Sequence, residues 1–287
     1  MRFFFILIIS LSTLISCSFS SDPIKLAFKK DEFLSEIIKD KETYEIQILY
    51  TEVSKNNLGQ TEFLDYQFQL NDEKYFYPAS TIKLPIAVMA LSKINELRAE
   101  GSNISPKSKI KLSLINNEQE IILKDSITSF QNLIADVFLV SDNSASNVLI
   151  DFIGYNYFNS SMSNAGYKNT YLNHKFNPDP FVDSSWLIST LDNEIISSNK
   201  NQITVLANSN ISNLKKGKKR FFDGEVKNES LDFSLKNRST LTDMHNIIKN
   251  LIYPEIFLSK FNLNVEDYDF LRYWMSRFTH EDLGAKY

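Results

Sequence analysis

The residues able to do chemistry begin at Ser80-Thr81-Ile82-Lys83, a serine with a lysine three positions on. Such a pair can supply a nucleophile and its base without histidine, provided the amine sheds its proton near neutral pH. The spacing alone is common, since Ser108, Ser197 and Ser212 also have a lysine three residues later. Context sets Ser80 apart. It follows Tyr77-Pro78-Ala79 and opens a mostly apolar run to Leu97. That pattern predicts a helix over 80–97, with Lys83 one turn beyond Ser80 on the same face. Flanked by Ile82, Leu84, Ile86 and Ala87, the lysine is partly desolvated, which lowers its pKa toward that of a useful base. The helix amino end favours a developing alkoxide on the serine. The same tetrad also fits an N-cap serine followed by a snorkelling lysine.

A second set separates these readings. Ser141-Asp142-Asn143 occurs once, at a loop leading into a helix over 145–152. By itself it is a good capping cluster. Together, and in this order, the two sets resemble the SxxK plus SDN signature of class A β-lactamases and related penicillin-binding proteins. The resemblance extends through Tyr77 to Ala90, the block VSDNSASNVLIDFIG, Asn164-Ala165-Gly166-Tyr167 and Ser239-Thr240-Leu241-Thr242-Asp243-Met244. It covers most of the chain from about Asp31 onward.

The resemblance implies specific roles. Ser80 would attack a β-lactam or acyl carbonyl and Lys83 would take its proton. Ser141 would relay a proton toward the leaving nitrogen, and Asn143 would bind Lys83 and the substrate's amide side chain. The Ser80 backbone N–H would form half of an oxyanion hole. It implies a serine hydrolase acting on a small molecule or a cell-wall peptide, with no cofactor. The alternatives are a penicillin-binding carboxypeptidase or transpeptidase acting on peptidoglycan, and a non-catalytic lipoprotein retaining the fold.

The sequence departs from that family in two places. Laid onto the loop that carries the family's deacylating glutamate, residues 166–172 put Phe176 at the glutamate position, with Asp179 and Asp183 the nearest acids. The family's third motif, Lys-Thr/Ser-Gly, lies on a strand after the last helices, and here Ala285-Lys286-Tyr287 stands soon after the helix containing Trp274. The chain is accordingly read as truncated before that motif. Lys215-Lys216-Gly217 is assigned instead to a solvated basic turn.

Met1-Arg2 and the apolar run Phe3–Ile9 read as a signal peptide, too short to span a bilayer. Leu14-Ile15-Ser16-Cys17 resembles the lipobox of bacterial lipoproteins, and Cys17 is the one cysteine in the chain. A lipid on Cys17 would hold an exported protein to a membrane, each buried methylene adding roughly 0.8 kcal/mol. The face would be the periplasmic or the cell-surface side. With 31 basic against 35 acidic side chains, the chain lacks the basic excess of a nucleic-acid binder. His174, His245 and His280 have no HExxH spacing, and one cysteine cannot build a thiolate metal site.

The elements that must position these residues are set by periodicity. A helix is predicted over 31–39 and a hairpin from strands over 43–53 and 62–70, turning at Asn56-Asn57-Leu58-Gly59. Short helices occupy 127–191, a strand pair joins 202–207 to 219–226, and two amphipathic helices cover 240–251 and 265–278. The expected fold is α/β (α+β), of the β-lactamase/transpeptidase kind. In it an antiparallel sheet flanked by helices joins an all-helical subdomain at roughly 84–240, and the sheet's C-terminal strands are absent from this chain. Residues 1–16 form the signal peptide, 17–30 a lipidated tether and 31–287 the hydrolase domain.

Overall fold

In a computed structural model of the chain, residues 22–116, 119–179, 181–197, 211–212, 214–222, 224–257 and 260–279 are described. They fall into two compact units that part between Gln69 and Leu70.

The first unit begins with α1, Pro23–Lys30, so the expected tether over 17–30 is helical in its second half. The local chemistry explains this. Asp22 accepts hydrogen bonds from the N–H groups of Ile24 (3.0 Å) and Lys25 (3.3 Å), and Pro23 sits where a missing N–H costs nothing. Phe28, one turn after Ile24, meets the Phe68 ring edge-on at 5.2 Å. Asp31 then caps α2, Glu32–Lys39, through the Leu34 N–H at 2.9 Å. Strands β1, Ile48–Lys55, and β2, Thr61–Phe68, pair antiparallel from Ile48↔Phe68 to Lys55↔Thr61. Asn56 closes their turn by accepting from Leu58 and Gln60, both at 2.9 Å, and Gly59 supplies the positive φ of +75°. The predicted hairpin is therefore present.

The second unit carries the chemistry. A 3₁₀ turn, Ala79–Ile82, leads into α3, Lys83–Ala99, whose residues from Ile86 to Leu91 are buried on every side. A helix apolar all round belongs at the centre of a core. Then come β3, Lys109–Asn116, and β4, Gln119–Ser129. Three helices come next: α4, Phe130–Val140, α5, Asn143–Ile153, and α6, Tyr155–Asn164. They pack with α3 around Phe130, Ile134, Leu149, Phe152 and Phe158, with the Phe130 and Phe152 rings 4.3 Å apart.

Strands β5, Ser185–Thr190, and β6, Ile195–Ser197, complete an antiparallel sheet in the order β4-β3-β5-β6. This corrects the expectation that residues 84–240 are all-helical. The period-two signal is visible in β3, where Ile110, Leu112 and Leu114 are buried, and β5 answers it with Trp186 and Ile188.

Beyond this sheet, β7, Lys215–Lys216, pairs with β10, Leu231–Asp232, and encloses the hairpin of β8, Arg220–Phe222, with β9, Glu225–Lys227. The predicted strand over 202–207 lies outside the described residues. Its predicted partner, 219–226, instead folds back on itself at Gly224, where φ is +76°. Helices α7, Leu241–Ile252, and α8, Val265–Met275, match prediction, capped by Thr240 and by an Asn264–Asp267 capping box.

One buried carboxylate ties α5 both to β5 and, through an ion pair, to the loop that precedes it. Asp151 is 1% exposed and accepts from Lys175 Nζ at 2.7 Å and from the Trp186 N–H at 2.8 Å. Lys175 also donates to the Ser184 carbonyl at 2.7 Å. Replacing the carboxylate leaves a desolvated ammonium unpaired, which costs about 3–5 kcal/mol. Asp151→Ala is expected to lower the urea midpoint by that much stability while leaving the m-value unchanged. An unchanged midpoint would show that the pair does not hold the sheet to the helices.

Candidate active site

The segment before Ser80 is set by backbone constraint. The Pro78 carbonyl accepts from the Thr81 N–H (2.9 Å) and Oγ1 (2.6 Å), closing the 3₁₀ turn. Ala79 is forced to φ +46°, a region that L side chains enter at a cost. The strained residue immediately precedes Ser80, which is exposed. Tyr75 ties the approach to this turn down by donating to the Asn237 carbonyl at 2.5 Å.

Lys83, the first residue of α3, is 2% exposed. Its ammonium reaches the Ser141–Asp142–Asn143 loop between α4 and α5. It donates to Asn143 Oδ1 at 2.7 Å, to Ser141 Oγ at 3.2 Å, to the Asp142 carbonyl at 3.3 Å, and to the Ser141 carbonyl. Ser141 ends α4 in the left-handed region, φ +55° and ψ 40°, and Asp142 caps α5 by accepting from the Ala145 N–H at 2.6 Å. Burial pushes the Lys83 pKa down to about 8, against a smaller opposing pull from Asp142. Four oxygen partners hold the amine in place while desolvation weakens its hold on the proton.

Phe176 covers this amine, its ring centre 4.9 Å from Nζ. Two asparagines hold the loop that carries it. Asn147, fully buried on α5, accepts from the Phe176 N–H at 2.8 Å and donates to its carbonyl at 3.0 Å. Asn237 accepts from the N–H groups of Asn173 (2.7 Å) and His174 (3.0 Å). The two candidate acids stand elsewhere. Asp179 accepts from Asn147 Nδ2 (2.7 Å), Ser144 Oγ (3.1 Å) and the Phe181 N–H (3.1 Å), so its lone pairs serve the loop. Asp183 lines a separate cavity with His174 and Lys175.

Ser80, Lys83 and Ser141 line one cavity of 510 Å³, whose walls are Phe76, Phe138, Leu241 and Met244. Asn143 joins the group through its hydrogen bond from Lys83, and its Nδ2 also donates to the Pro178 carbonyl at 3.4 Å. Four of the five residues singled out in the sequence are thus brought together, and Cys17 lies outside the described residues. Sequence reasoning missed Asn147 and the apolar wall. Asn147 did carry a signal, standing in the first turn of the helix predicted over 145–152. The wall had none, because it draws on the segment before the 3₁₀ turn, on α4 and on α7 at once.

Residues 31–262 match the family described as the Beta-lactamase enzyme family (Beta-lactamase2). The chain belongs to the β-lactamase enzyme family. It is a hydrolase of the β-lactamase type. Among solved structures, it is similar to the chromosome-encoded β-lactamase of Vibrio parahaemolyticus at 14% identity and TM-score 0.44, over 84% of this chain and 68% of that one. A class A β-lactamase representative from Bacteroides cellulosilyticus aligns at 15% identity and TM-score 0.44, over 88% and 66%. The class A β-lactamase of Mycobacterium abscessus aligns at 14% and 0.43, over 86% and 71%. No curated protein sequence matches the chain.

In this β-lactamase-family site, burial is the largest cause of the lowered Lys83 pKa, and the Phe176 ring is part of that burial. Phe176→Ala is expected to admit water to the amine and raise its pKa from about 8 toward the ordinary 10.5, read from the pH dependence of the Lys83 side-chain NMR shifts. A pKa that stays near 8 would remove the ring from the list of causes.

Proposed function

We propose that Ser80 attacks the carbonyl of a β-lactam, or of a related amide or ester, to form an acyl-enzyme. The Oγ–H proton passes to neutral Lys83 as the Oγ–C bond forms. When the C–N bond breaks, that proton returns through Ser141 to the leaving nitrogen. Asn143 holds Lys83 and receives the substrate's amide side chain. The observation that carries this reading is the Lys83 amine, its pKa lowered to about 8, buried between Ser141 and Asn143 and sharing a cavity with exposed Ser80.

Phe176 favours a second reading of the fate of the acyl-enzyme. A carboxylate there could activate water, whereas an aromatic ring on the amine cannot. A long-lived acyl-enzyme, as in a penicillin-binding carboxypeptidase or transpeptidase, is the outcome it supports.

A fluorescent penicillin tests both steps. The chain is expected to take covalent label, Ser80→Ala none, and Lys83→Met to label at least about a hundredfold more slowly. Because Lys83 must be neutral to accept a proton, labelling should accelerate as pH rises through about 8 and level off above it. The bound label should persist in the parent chain and be lost faster in Phe176→Glu. Label retained by Ser80→Ala, or none on the parent, refutes the nucleophile assignment.

We also propose that the protein is exported and anchored by a lipid on Cys17. The support is the Leu14-Ile15-Ser16-Cys17 motif at the end of an apolar run. Among the described residues, no helix is long and apolar enough to cross a membrane. Growth with radiolabelled palmitate should mark the protein, and Cys17→Ser should abolish the mark. Equal labelling of the two would refute the anchor.

A further inference from the structure

The β8–β9 hairpin turns its apolar side chains to water. Phe221 is 75% exposed and pairs in register with Val226, which is 62% exposed. Phe222, on the opposite face, is 56% exposed, with the Arg220 guanidinium 4.8 Å from its ring centre. Single exposed apolar residues are ordinary, but Phe221 with Val226 on one face and Phe222 on the other leave apolar surface on both sides of a ribbon of six strand residues.

The approach to this tip is cationic. Residues 215–227 hold Lys215, Lys216, Lys218, Lys219, Arg220 and Lys227 against the acids Asp223 and Glu225, in a chain whose net charge is −4. Arg220 pairs with Glu229 at 2.7 Å and Lys227 pairs with Glu225, while Lys218 and Lys219 stand exposed just before the hairpin. The apolar residues lie toward the turn, where Glu225 stands opposite Phe222, and the cations gather at the base of the ribbon. A partner that fits offers a negative surface with an apolar layer beneath it, which is the profile of an anionic bilayer.

We propose that β8–β9 is a membrane-contact hairpin. Phe221, Phe222 and Val226 enter the interfacial layer, and Lys218 and Lys219 meet anionic lipid headgroups. The contact goes beyond the hydrolase reading and does not require the Cys17 anchor. If that anchor is present, it supplies a high local concentration of lipid, so that a weak second contact fixes the orientation of a tethered chain.

The test is run on the full chain carrying Cys17→Ser, so that lipidation plays no part. Phe221→Cys then introduces the sole thiol, which takes an environment-sensitive nitrobenzoxadiazole dye. Mixed phosphatidylcholine–phosphatidylglycerol vesicles are expected to shift the dye emission to the blue, and doxyl-labelled lipids to quench it. A dye at Leu58→Cys, a site 82% exposed in the first unit, should not respond. Adding Lys218→Glu and Lys219→Glu should weaken the response roughly tenfold per reversed charge. No shift at position 221 overturns the proposal. So does an equal shift at position 58, which would show adsorption through residues 1–17. The same shift with soluble polyphosphate, without doxyl quenching, overturns it in favour of a polyanion site.

Discussion

An amine taken out of water is the constraint on which the site depends. A lysine at the start of α3 would be unfavourable in a packed core without partners, because a buried charge needs compensating hydrogen bonds. The Ser141–Asn143 loop provides them, and it can do so because Ser141 adopts a left-handed backbone that turns α4 into α5. The result is a compromise between two opposing effects. The oxygens keep the amine located, and burial keeps its pKa near 8. Were the loop displaced, the amine would lose its partners; were the cover removed, it would lose its lowered pKa.

The cover is set by a second layer of hydrogen bonds rather than by the ring itself. Asn147 grips both backbone groups of Phe176, and Asn237 grips the backbone of residues 173 and 174. These amides hold main chain, so the geometry they impose is indifferent to the side chain carried at position 176. That separation lets the same loop place either an acid or an aromatic ring over the amine.

Much of the site was legible because its signals are short-range. Ser80 and Lys83 share one helical turn, and Ser141 to Asn143 are adjacent, so each set declares itself in a single window. Even the position of Phe176 came from counting along a loop whose ends are marked. The sheet β4-β3-β5-β6 was less legible. Its β5 pairs with β3 across seventy to eighty residues, and that partnership decides that Ile110, Leu112 and Leu114 face a core. The helix α1 escaped notice for a related reason. Its cap is local, but its apolar face is satisfied by Phe68, which lies at the far end of the hairpin.

Family membership, the pairing of Ser80 with Lys83 and most of the helices were determined by the sequence itself, because motif spacing and apolar periodicity are properties of neighbouring residues. Tertiary structure alone decided how dry the amine is, which residues wall the cavity beside Ser80, and where Asp179 spends its lone pairs. Each of these depends on groups distant in the chain arriving together. Solvent exclusion and the pKa it sets are properties of the assembled core, and no single segment encodes them.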